Sequence, residues 1–157
     1  MISCDGICYI VWAFLLLAVP LEWLLSVVSA ALFHELSHIL AVVLLKGKIR
    51  RVHVGIAGCE IETQPMGDLA SCLSILAGPL GSFLLLLFRK QCPLMAVCGF
   101  LQGVYNLLPV MPLDGGRILR CLLCRFCPEK VELVMRVAKI LVLTTATIAI
   151  LRLSLAH

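Results

Sequence analysis

Charge is what this chain has least of. Asp, Glu, Lys and Arg make up 14% of its 157 residues, against 62% hydrophobic residues and a mean hydropathy of +1.09. Soluble globular domains run at about 25% charged and about 45–50% apolar, so the deficit excludes an ordinary water-soluble domain. A basic leader is missing too. The N-terminus has no cationic region and no small-residue cleavage site, so its apolar stretch is expected to be a retained helix and not a cleaved signal. A disulfide framework is not supported: the nine Cys are odd in number, and most sit inside apolar segments. Cys121, Cys124 and Cys127 recur every third residue, yet no fourth Cys nearby completes a zinc or iron–sulfur set. These cysteines read as small apolar packing residues. There is no internal repeat and no low-complexity tract.

What is present is a series of apolar runs, at about 6–19, 23–45, 68–88, 94–108 and 130–153. At roughly 20 residues per span, four to six helices would use most of the chain. Between them, residues 52–64 (VHVGIAGCEIETQ) alternate apolar and polar around Gly55 and Gly58, a β-hairpin pattern. Open sheet edges are not tolerated against lipid, so this hairpin should lie at the surface or in a protein-lined cavity. Gly78-Pro79-Leu80-Gly81 would let a neighbouring helix approach closely, with Pro79 kinking its own helix. Residues 106–117 (NLLPVMPLDGGR) are too irregular for a helix and too apolar for an ordinary loop, and 118–127 read as a short amphipathic piece. The expected fold is an all-α polytopic membrane protein with about five to six transmembrane helices and a small membrane-associated β-hairpin. It forms one domain, 1–157, with its core at about 20–120.

The net charge of +4 does not suggest nucleic acid, because the basic residues fall between apolar segments as topology signals do. With the N-terminus in the cytoplasm and four alternating spans, loops 46–67 and 106–130 fall inside. Eight basic residues (Lys46, Lys48, Arg50, Arg51, Arg117, Arg120, Arg125 and Lys130) are then cytoplasmic, against three outside (Arg89, Lys90 and Arg152).

One apolar run breaks the pattern. Residues 23–45 hold His34-Glu35-Leu36-Ser37-His38, an H-E-x-x-H arrangement, and no other ionisable group. Chance would yield about 0.004 such matches in a chain of this composition. Histidines four apart share a helix face, so both imidazoles can bind one tetrahedral metal, and Glu35 can reach a water there as general base. Packing histidines are the competing reading, weakened because ionisable groups at membrane depth are costly and functional by default.

A catalytic zinc needs a third protein ligand and an open position. The candidates are His53, Glu60, Glu62, His157 and Asp114. Asp114 is favoured, because a bare carboxylate among apolar residues near membrane depth is expensive unless paired. Its alternative role is a helix N-cap. Asn106 could hold a substrate backbone or stabilise an oxyanion, or serve as a polar cap.

H-E-L-S-H at 34–38, followed by N-L-L-P-V-M-P-L-D-G-G at 106–116, resembles the site-2 protease family of intramembrane zinc metalloproteases (peptidase family M50). It looks most like the short bacterial branch that includes the sporulation protease cleaving a membrane-tethered pro-sigma factor. Ala77-Gly78-Pro79-Leu80 resembles that family's third helix. The resemblance implies His34, His38 and Asp114 as ligands of one zinc ion, Glu35 as catalytic base and Asn106 as a helper near substrate. It implies a bacterial cell-membrane protease, with its site reached from the cytoplasm, that cuts in or near the transmembrane segment of a tethered regulator such as a sigma or anti-sigma factor. The hairpin would match the family's β-structure, thought to present substrate as an added strand. Ser37 stands where Gly or Ala is common. Nothing here resembles the sporulation branch's regulatory domain or a PDZ domain, so nucleotide sensing and PDZ gating are not implied. The rival readings are a membrane metal-binding or metal-transport protein using the same His/Asp site, and a non-enzymatic scaffold.

Overall fold

A computed structural model of the chain describes residues 2–4, 19–55, 58–64 and 66–155. The elements run β1 (Ile2–Cys4), α1 (Leu21–Leu44), β2 (Ile49–Gly55), β3 (Gly58–Thr63), α2 (Asp68–Leu84), α3 (Pro93–Asn106), α4 (Asp114–Phe126) and α5 (Val131–Leu155). Short 3-10 turns extend α2 through Leu85–Phe88 and precede α5 at Pro128–Lys130. The chain falls into two compact units, Met1–Val104 and Tyr105–His157. The run at 6–19, expected to be a helix, lies outside the described residues apart from position 19.

The protein is mostly helical, and three of its described helices are long and apolar enough to cross a membrane: Leu21–Leu44, Asp68–Phe88 and Pro128–Leu155. The run expected as a span at 94–108 forms only the 14 residues of α3. At 1.5 Å per residue that is roughly 21 Å, short of the hydrocarbon thickness of about 30 Å.

In the first unit, burial is inverted relative to a water-soluble protein. Its interior is mostly small or polar: Ala30, His34, Ser74, Gly78, Gly81, Ser82, Ala96, Gly99 and Gly103 are buried, with Leu24, Val42, Pro79 and Leu85 as the larger members. Large residues such as Leu32, Leu36, Leu40, Leu73, Leu80, Leu87 and Leu101 are exposed. In lipid no hydrophobic force drives helices together, so close backbone approach between small residues takes its place. Along α2 the buried positions Ser74, Gly78, Gly81, Ser82 and then Leu85 recur at helical spacing and form one face. A Cβ at Gly81 would fall on the Ser37 hydroxyl of α1, so these backbones meet without a side chain between them. A Cβ at Gly99 of α3 would come within 2.6 Å of Leu85 and 3.0 Å of the Ser82 carbonyl. The close approach expected from Gly78-Pro79-Leu80-Gly81 is present, and α2 runs helically through Pro79.

The hairpin forms as an antiparallel pair with Gly55 opposite Gly58, beginning at Ile49 and ending at Thr63 instead of 52–64. A third strand joins it. Ile2–Cys4 pairs in parallel with Val52–Val54, giving the order β1-β2-β3. Three residues are too few for a period-2 signal, which is why the sequence pattern conceals β1.

In the second unit the irregular stretch is shorter than expected. It spans 107–113, and α4 begins at Asp114, not at 118. The early start depends on Gly115 and Gly116. A Cβ at Gly115 would strike the Leu107 carbonyl, and one at Gly116 the Val110 carbonyl, because the loop folds back over the first helical turn. The Val110 and Leu113 amides donate to the Leu108 and Val110 carbonyls at 2.8 and 2.9 Å, which tightens that loop. Cys121 of α4 is half-buried, whereas Cys124 and Cys127 are exposed thiols, so close packing does not account for those two.

Candidate metal centre

His34 and His38 lie one turn apart on α1 and face α2. His34 is 2% exposed and His38 is half-buried. Each ring is held at Nδ1 by α2. His38 Nδ1 lies 2.8 Å from the Ser74 carbonyl oxygen, and His34 Nδ1 lies 2.8 Å from the Ser82 hydroxyl. A carbonyl only accepts, so His38 Nδ1 carries the proton and, in the neutral ring, Nε2 carries the lone pair.

The two Nε2 atoms converge to 3.2 Å, with the rings at 85° to each other. Two imidazole ligands of one tetrahedral zinc, each about 2.0–2.1 Å from the ion, would place their nitrogens roughly 3.3 Å apart. The histidine pair therefore fits a single zinc. α2 leaves room there for the same reason it packs closely: a Cβ at Gly78 would overlap the His38 ring and lie 2.8 Å from His34 Nε2. Metal-ligating histidines commonly bond a carbonyl or other oxygen through the second nitrogen, which fixes the ring, and both rings show that arrangement.

Glu35 follows His34 on α1 and is half-buried. In the second unit, Asp114 is buried as the first residue of α4. No side chain caps that helix, and the N-cap position belongs to Leu113, so Asp114 is not the N-cap. A carboxylate in the first turn is favoured by the helix dipole. Asn106, also in the second unit, is the half-buried last residue of α3. The structure thus brings His34 and His38 together in the first unit and sets Asp114 and Asn106 around the 107–113 loop in the second. Side-chain surroundings of His53 and Glu60 lie outside the described residues, as does His157; Glu62 is exposed on β3.

Sequence reasoning missed Ser74 and Ser82. The available signal was a polar residue every two turns, eight apart, on an apolar helix flanking Gly78.

The model of peptidase family M50 matches residues 60–146, more than half of the chain. Among solved structures, the fold is similar to the site-2 protease from Methanocaldococcus jannaschii. That likeness has a TM-score of 0.69 at 20% identity and covers 94% of this chain and 77% of that one. No curated protein matches the sequence.

Proposed function

The chain belongs to peptidase family M50, an integral-membrane metalloprotease family, and on that premise we propose that it is a zinc endopeptidase. Its reaction is hydrolysis of a peptide bond in or near the transmembrane segment of a membrane-tethered protein, such as a transcription factor or a sigma or anti-sigma factor. The observation that carries the reading is the His34–His38 pair, with its Nε2 atoms 3.2 Å apart inside a membrane-length helix.

In this proposal His34, His38 and Asp114 hold one zinc ion. Two imidazoles and one carboxylate are the donor types of a catalytic zinc site with an open fourth position. When bound, zinc supplies Lewis acidity, which polarises a carbonyl and makes water a competent nucleophile near neutral pH. Glu35, adjacent to the first ligand, takes a proton from the attacking water and returns it to the leaving amine. Asn106 offers an amide that hydrogen-bonds the substrate backbone or the developing oxyanion.

A helical substrate hides its carbonyls in internal hydrogen bonds, so it must unwind before attack, and the β2–β3 hairpin can hold the extended segment as an added strand. The chain acts as one catalytic domain, 1–157. Water reaches the site from the cytoplasmic side of a bacterial membrane.

Glu35→Gln tests the reading. Co-expressed with single-span regulators, the wild type should cleave and the variant should not, while the purified variant keeps about one zinc per chain. Retained cleavage in the variant sinks the mechanism. Zinc transport that survives the substitution, with no cleavage by either protein, would favour the metal-transport alternative. Purified wild type with less than about one zinc per two chains counts against any zinc enzyme.

A further inference from the structure

The two histidines are anchored by different kinds of oxygen. His38 faces the Ser74 backbone carbonyl, which can only accept, so the proton position of that ring is fixed by the main chain. His34 faces the Ser82 hydroxyl, which can either donate or accept. Two arrangements satisfy the distances around His34. In one, Ser82 donates to Nδ1, and His34 Nε2–H donates across 3.2 Å to His38 Nε2. In the other, His34 Nδ1–H donates to Ser82 Oγ, and the Nε2 lone pair of His34 turns toward that of His38. Only the second gives two nitrogens able to hold one metal ion.

Resting on the zinc reading above, we propose that Ser82 is a positioning residue. As a hydrogen-bond acceptor it sets the His34 tautomer, and thereby decides whether His34 joins His38 in binding zinc. Ser82 is 0% exposed, two turns beyond Ser74 on the face of α2 that also carries Gly78. Its hydroxyl is therefore held against the ring with no bulk solvent to replace it. A Ser82→Ala substitution removes the oxygen and adds no volume. The His34 Nδ1–H state then loses its hydroxyl acceptor in a buried site, and the ring is biased toward Nε2–H, the tautomer that cannot coordinate through Nε2.

The experiment uses the full chain, purified in detergent, with zinc affinity read by competition against a chromophoric chelator. Ser82→Ala should weaken zinc binding by about 10- to 100-fold, the usual cost of losing an outer partner of a metal-bound histidine. Ser71→Ala, which alters a half-buried α2 serine with a 3.5 Å bond to the Met66 carbonyl, should stay within about twofold of wild type. Nitrogen-15 NMR of histidine-labelled protein supplies a readout that general loosening would not reproduce. Zinc-loaded wild type should show His34 protonated at Nδ1, and zinc-free Ser82→Ala should show His34 shifted toward Nε2–H. Unchanged affinity in Ser82→Ala overturns the proposal while leaving the zinc site intact. So does an unprotonated His34 Nδ1 in the zinc-loaded wild type, which decides the matter even where the variant fails to fold. Wild type that binds no zinc overturns this inference together with the reading it rests on.

Discussion

The helices α2 and α5 would be indistinguishable on a hydropathy plot. With their flanking turns, the two segments hold 18-residue windows of mean hydropathy 2.0 and 1.9, and each is long enough to span a bilayer. Yet 33% of the α2 window is buried and none of the α5 window is. The difference lies in what interrupts the apolar residues. On α2, Ser74, Gly78, Gly81 and Ser82 share a face and are all buried. On α5 the interruptions are the exposed charges Arg136, Lys139 and Arg152 and the threonines Thr144, Thr145 and Thr147, whose hydroxyls each bond a carbonyl of their own helix and stay exposed. Hydropathy therefore separates membrane from water, but periodic small and polar residues separate an inner helix from a lipid-facing one.

The comparison breaks most visibly at Gly78. Gly78→Ala places a methyl on the His38 ring. Zinc affinity should fall by about 100-fold or more, with cleavage falling alongside it, as measured by chelator competition and substrate processing. Near-normal zinc binding would mean that α1 and α2 can separate without harm. A smaller effect belongs to Gly81→Ala, where the new methyl meets Ser37 of α1. Overpacking there should cost about 1–3 kcal/mol of stability, read as a lower midpoint in denaturant titration of the detergent-solubilised protein. The smallest effect is expected on the other helix. Thr145→Leu, at an exposed position, should change stability by less than about 0.5 kcal/mol. A larger loss would show that α5 is covered and that the contrast with α2 is overstated.

The parts legible in the sequence share a cause: their signals are local and periodic. His34 and His38 share a face because four residues make about one turn, and the hairpin showed in alternation around Gly55 and Gly58. What the sequence concealed depends on contacts between distant segments. Gly115 and Gly116 read as turn residues, but they are needed because Leu107 and Val110 fold over the helix start, so α4 begins four residues before the expected boundary. The run at 94–108 is short for a span even by sequence, and its helix ends at Asn106. Ser82 resembled an ordinary polar residue in an apolar run, and only the position of His34, 48 residues earlier, gives its hydroxyl a partner.

The β-sheet has a consequence for the order of assembly. Gly55 and Gly58 pair only three positions apart, whereas Ile2 and Val52 are 50 positions apart with all of α1 between them. Hairpin closure takes about 1–10 μs, but non-local pairing must first overcome the entropy of closing a long loop. The β2–β3 rungs can form as soon as they emerge, while the β1 rung must wait until α1 has been laid down. Amide exchange at Val52–Val54, compared between the two edges of that strand, would therefore report when the histidine-bearing helix has reached its final place.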